Sequence, residues 1–362
     1  PYALIIGIVI LIGYILRQDR YSDIQVWNLP PTKWFILLIV IMLIILPYSI
    51  VPDKHLEYTI LMAKFFILYY LIIKTINTPK KFEQLIGVYL LGQFYFGWLA
   101  FNEGRSHGRL EGIGGPDSTH ANHTAAVMVI AVPLLIHYLM HGKNWQKIVS
   151  LIILTFVLNA IILINSRGAF LAFGISTFYL FIHYLISKSD LKIKKSWVII
   201  ILVCSIGLFF FLTEDVFWQR MATLSNPSVE GSGYRMLVWK GSFDMVSDYP
   251  FGVGRRGFAA LSSEYVPAEL LASQTGTRAV HNTFLQAMTD LGYIGLIIFA
   301  GLLISTLLYC RKIKNKLSNS SFLNDYSMII ALSAGFIAHL TAGLFINRLY
   351  SENLYWLIAF IA

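Results

Sequence analysis

Three side chains in this sequence, His281, Arg167 and Arg235, have the types and settings that chemistry on an anionic substrate requires. His281 stands in Arg-Ala-Val-His-Asn-Thr-Phe-Leu-Gln at 278–286, where a long polar stretch gives way to an apolar one. A neutral imidazole, with an ordinary pKa of about 6.5, takes a proton from an attacking hydroxyl. Asn282 and Thr283 would either fix its tautomer or cap the helix that follows. Arg167 lies in Asn165-Ser166-Arg167-Gly168, a tight turn between two apolar stretches. That places it at the N-terminal end of a helix, whose positive dipole end and free N–H groups disfavour a cation unless an anion joins it. The alternative is an interfacial arginine reaching for lipid phosphates. Arg235 offers a second planar fork that holds phosphate oxygens bidentately and stays charged at every accessible pH.

Further polar residues surround these three. Lys64 is a charge inside an apolar stretch, and such residues face a cavity or a partner by default. His339 and Arg348 are placed to line the same cavity, whereas His137 and His183 read as packing residues. His120 and His123 with Asp117 form the one group that resembles a metal site. Two histidines and one aspartate in a glycine-rich loop are a weak ligand set, so no metal is expected. The glycines of 102–122 superficially resemble a phosphate loop, but no Lys-Ser/Thr follows and no strand precedes, which excludes a nucleotide-binding loop.

The elements that must position these residues are apolar helices. The chain is 57% AVILMFWYC and 13% charged, with mean hydropathy +0.66, against roughly 25% charged in soluble domains. Apolar runs fall near 2–16, 34–51, 57–75, 83–101, 123–141, 148–164, 168–186, 197–213, 283–309, 325–347 and 353–362. Each is expected to be long enough to cross a hydrocarbon core of about 30 Å. The expected fold is therefore all-α: a single polytopic transmembrane bundle over 1–362, with about 11 spans. Since the sequence begins at Pro1 and stops inside a span, 12 or more are expected in a longer chain. Cys204 and Cys310 lie in or at the end of spans, so no disulfide framework is implied.

A net charge of +9 would suit nucleic acid, but its distribution does not. Alternate loops, those with Arg17, Lys80, Lys143, Lys192 and Lys312 among others, carry 16 basic residues, and the short loops opposite carry 5. The positive-inside rule assigns the basic set to the cytoplasm, with turns at 188–195 and 311–316 as topology anchors. The polar stretch 214–281 is then one large extracytoplasmic loop. Within it, apolar residues at 234, 237, 238, 245 and 246 predict a helix over 234–247 lying at the membrane interface, which Tyr249-Pro250 ends.

Four segments in order resemble the O-antigen ligase and polymerase superfamily, and all fall on the outer side of that topology. They are Ser-Arg-Gly at 166–168, Arg220-Met-Ala-Thr-Leu, Tyr234-Arg-Met-Leu-Val-Trp-Lys with Asp248-Tyr-Pro-Phe-Gly-Val-Gly, and His281-Asn-Thr-Phe-Leu-Gln with Leu291-Gly-Tyr-Ile-Gly-Leu. Pro116–Asn122 fits the family's Asn-rich segment approximately, and the N-terminal third matches no motif. The resemblance implies a glycosyltransferase of the bacterial cytoplasmic membrane that works without metal or cofactor. Its donor would be an undecaprenyl-diphosphate-linked glycan. Its acceptor would be a hydroxyl of lipid A-core, of another lipid-linked glycan or of a protein. Arg167 and Arg235 would bind the diphosphate, and His281 would be the base. A lipid-linked-sugar transporter is the competing class. Transporters tend to show repeats and a midplane site, neither of which is legible here.

Overall fold

The computed structural model describes residues 2–16, 21, 23–104, 110–114, 120–186, 207, 233–272, 277–318 and 323–362. These residues are helical, with no strand among them. In chain order the helices are α1 (Tyr2–Leu16), α2 (Pro30–Ile45), α3 (Pro52–Thr75), α4 (Pro79–Glu103), α5 (Ala121–His141), α6 (Asn144–Ile164) and α7 (Arg167–Ile186). They continue with α8 (Gly233–Asp248), the short α9 (Gly257–Ala260), α10 (Ser262–Tyr265) and α11 (Ala268–Ala272), then α12 (Thr283–Ser318), α13 (Leu323–Gly343) and α14 (Glu352–Ile361). Proline opens α2, α3 and α4, where its missing N–H costs nothing and its fixed φ suits the first turn.

The chain is a multi-pass helical membrane protein. Eight helices among the described residues are long and apolar enough to cross a membrane. The expected spans 2–16 and 353–362 are helices of 15 and 10 residues at the two ends of the given sequence. The expected span 197–213 lies outside the described residues. The lysine-rich segment 311–316, expected as a turn, is instead the end of α12, which runs to Ser318. Cations in a final helical turn complement the negative end of the dipole.

The chain divides into two compact units. The first comprises residues 1–86, 234–309 and 347–362. Here α3 packs against α2 and α14, and Tyr355 of α14 stacks on Phe35 and Phe65 with ring centroids 4.7 and 5.4 Å apart. A separate apolar core joins α8, the short helices and the start of α12 through Val238, Met245, Val246, Val253, Phe258 and Met288. The expected helix over 234–247 is present. Its inward stripe, however, is Val238, Met245 and Val246, while Leu237 is exposed together with Met236 and Phe243. Tyr249-Pro250 ends α8 as expected.

The second unit comprises 87–233 and 310–346. In it α13 packs against α5 and α7, and α5 also packs against α6. Small residues let the backbones approach: a Cβ on Gly335 would come within 3.0 Å of the Ile130 carbonyl, and one on Gly97 within 2.9 Å of the Phe156 backbone.

Candidate active site

Within the first unit, the sequence around His281 is built as a rigid mount. Val280, just before it, belongs to the apolar core and is 4% exposed. Its carbonyl accepts the indole N–H of Trp239 at 3.0 Å, tying it to the helix that carries Arg235. Just after His281, the N–H of Asn282 donates to Oδ1 of Asn347 at 3.1 Å. The side-chain oxygen of Asn282 in turn accepts the N–H groups of Phe284 and Leu285, at 2.9 and 3.1 Å. Of the two roles open to Asn282, the structure shows the cap, a device worth about 1 kcal/mol. Thr283 is also engaged, because its Oγ1 accepts the backbone N–H of Arg348 at 2.9 Å. His281 itself is exposed and holds a left-handed backbone at φ 53°. That conformation costs a non-glycine residue about 1–2 kcal/mol, and the bonds on either side enforce it.

The helix below His281 is broken. Gly292 has φ 71° and ψ −173°, so α12 is a short helix from Thr283 followed by a longer one from Tyr293. The segment 249–254 docks into the break. Val253 N–H donates to the Thr289 carbonyl and Gly254 N–H to the Asp290 carbonyl, both at 3.0 Å, and Tyr293 N–H donates to the Pro250 carbonyl at 3.1 Å. Gly252 and Gly292 approach so closely that a Cβ on either would strike the other's backbone segment. On its other side the segment is held by Ile50, whose N–H donates to the Val253 carbonyl at 3.0 Å.

Aromatic rings hold a cation beside this junction. The Arg255 guanidinium carbon lies 4.5 Å from the ring centroid of Tyr58 and 5.1 Å from that of Tyr350. Burial opposes its charge, but Asp290 and both tyrosines offset that and hold it protonated above its ordinary value. Asp290 is 3% exposed. Burial, then the negative charge of Asp290, raises the Tyr350 phenol in the same way. The backbone N–H of Arg255 donates to Nδ1 of the buried His55 at 2.9 Å. Since that nitrogen must accept, Nε2 carries the proton and donates to the Met42 carbonyl at 2.8 Å. His55 is thus a neutral strut.

Within the second unit, Arg167 is half-buried and is the first residue of α7, as the Asn165–Gly168 turn predicts. Phe345 packs on Gly168, leaving 3.1 Å for an added Cβ. His339 is buried in α13 in this unit, 2% exposed. The rings of His120 and His123 lie 5.8 Å apart. No group of three or more His, Cys, Asp or Glu residues suited to a metal occurs among the described residues, which exclude Asp117.

The remaining candidates belong to the first unit. Lys64 is exposed, on the face of α3 that also shows Ile60 and Ile67. Arg348 is 1% exposed. Arg235 and His281 therefore share one compact unit, and Arg167 and His339 share the other. Arg167 and Arg235 have a feature in common: each stands in the first turn of its helix, at the positive dipole end. Arg220 lies outside the described residues. Neither the caging of Arg255 by Tyr58 and Tyr350 nor the burial of Asp290 was expected from sequence. An acid inside an apolar run was the available signal.

Residues 150–300 match the family model described as O-antigen ligase. The matched stretch contains Ser166–Gly168, Tyr234–Lys240, Asp248–Gly254, His281–Gln286 and Leu291–Leu296, and it supports the resemblance to the O-antigen ligase and polymerase superfamily. No curated protein matches the chain.

Proposed function

We propose that this chain, whose residues 150–300 match the O-antigen ligase family, is a membrane glycosyltransferase. It moves a glycan from an undecaprenyl-diphosphate carrier to an acceptor hydroxyl at the outer face of the bacterial cytoplasmic membrane, without metal or cofactor. The observation that carries this reading is the mount of His281: an exposed imidazole on a left-handed backbone, held from both sides, in the unit that contains Arg235. Strain of that kind collects where a side chain must be aimed.

In this mechanism His281 takes the proton of the acceptor hydroxyl as its oxygen attacks the anomeric carbon. The bond from that carbon to the diphosphate oxygen breaks, and the diphosphate leaves with the electron pair. The forks of Arg167 and Arg235 hold the leaving group where its charge grows, the main requirement of such a reaction. In-line attack inverts the anomeric centre. The lipid tail stays in the bilayer while the sugars lie in water, which accounts for a site at the outer boundary. The exposed apolar side chains of α8, Met236, Leu237 and Phe243, suit a helix resting on lipid.

The acceptor is lipid A-core in a ligase, a growing lipid-linked glycan in a polymerase, or a serine or threonine in a protein transferase. The glycan profile of a deletion strain tests the proposal and separates the three. Loss of attachment to core, of polymer length or of glycoprotein is the expected outcome, and an unchanged profile contradicts it.

A further inference from the structure

We propose that the carboxamide of Asn165 binds the first sugar of the lipid-linked donor beside Arg167; this rests on Arg167 being a diphosphate ligand. Asn165 turns the chain from α6 into α7 with φ 53° and ψ 52°, its N–H returning to the carbonyls of Ile161 and Ile162 at 3.2 and 3.1 Å. Helices often end this way, and asparagine takes the left-handed conformation more readily than most residues. The turn explains the backbone but not the side chain. Asn165 is 3% exposed, and both its Nδ2 and Oδ1 are buried with no hydrogen-bond partner among the described residues. Glycine, the usual residue at such a helix end, would make the same turn without burying an amide. Buried polar groups are nearly always satisfied, and an unmet pair in a native protein calls for a reason.

The chemistry of the neighbours selects the ligand. Arg167 and the opening N–H groups of α7 are donors only, which suits the acceptor-only oxygens of a diphosphate. A carboxamide offers an acceptor as well as donors. An ionised diphosphate would leave Oδ1 unmet, whereas a sugar hydroxyl or acetamido group both donates and accepts and satisfies both atoms. That sugar is bonded directly to the diphosphate, so a group two residues from Arg167 is placed to reach it. The surroundings are apolar: Phe345 packs on Gly168, and Leu110 N–H closes onto the Leu163 carbonyl at 3.0 Å. A few polar groups in an apolar wall are what orient a bound ligand.

Asn165→Gly keeps the turn and deletes the amide, so it separates the two roles. The probes are undecaprenyl diphosphate and the same lipid carrying one N-acetylhexosamine, titrated onto purified parent, Asn165→Gly and Arg167→Ala protein. Asn165→Gly is expected to bind the bare carrier as the parent does and the sugar-bearing carrier roughly tenfold more weakly. Its thermal stability should be unchanged or higher, because an unmet amide has been removed. Arg167→Ala is expected to weaken both probes. Equal losses for the two probes in Asn165→Gly, or no loss for either, overturn the sugar assignment, and a loss of stability with equal losses marks a structural residue. If Arg167→Ala binds both probes normally, the diphosphate reading is what fails, and the Asn165→Gly comparison still reports on the sugar.

Discussion

The indole N–H of Trp239 donates to the carbonyl of Val280 at 3.0 Å, so one hydrogen bond joins the Arg235 helix to the residue before His281. The group proposed to hold the donor and the group proposed to activate the acceptor thus share one support. Trp239→Phe keeps a ring in the core and removes the N–H. Turnover should fall about tenfold with donor binding unchanged, since a small misplacement of a catalytic group is costly. Steady-state kinetics beside a donor titration check this. Loss of donor binding alone would show that the bond positions Arg235 and not His281.

Arg167 and Arg235 should respond to charge and to shape separately. A lysine keeps the charge and loses the planar fork. Arg167→Lys and Arg235→Lys should retain partial transfer, and the alanine variants almost none, with donor binding weakened in all four. Near-normal transfer by both alanine variants, correctly inserted, would move the diphosphate site elsewhere.

The junction at Gly292 should be intolerant of side chains and of lone charges. Gly292 has φ 71°, and an added Cβ would strike the backbone at Pro250 and Phe251. Gly292→Ala should therefore unfold the junction and lower yield. Asp290→Asn should lower the stability of the protein, because the Asp290 charge helps offset the burial of the Arg255 guanidinium. In a double-mutant cycle with Arg255→Met, thermal unfolding should show the two changes to be strongly non-additive. Additive effects would mean that the two charges act independently.

Topology is open to direct labelling. In a protein lacking Cys204 and Cys310, a cysteine at the exposed Ser263 should react with a membrane-impermeant thiol reagent in intact cells. One at the exposed Asn315 should react only after lysis. The opposite pattern would invert the assignment from the positive-inside rule.

Much of this was legible in sequence because it depends on local signals. Apolar run length located the long helices, Pro250 stopped α8, and the polar-to-apolar boundary put His281 ahead of a helix. The Ser166-Arg167-Gly168 turn needed only the gap between two apolar runs. The break at Gly292 was not legible, since glycine is common in membrane helices and only the docking of residues 249–254 makes this one a kink. The grip of Tyr58 and Tyr350 on Arg255 brings together residues far apart in sequence, which no local pattern reveals. Which apolar residues of α8 face the core was not legible, because a core side chain and an exposed apolar one look alike in composition.

His281 carries the central claim, and transfer by His281→Ala with the lipid-linked donor tests it most directly. A general base acts when the acceptor loses its proton and not when the donor binds. His281→Ala should therefore bind donor normally and lose transfer by about 10²–10⁴-fold. A chelator should leave transfer by the parent unaffected. Wild-type transfer by His281→Ala, or loss of parent transfer with chelator, would contradict the metal-free base mechanism and turn attention to His120, His123 and Asp117.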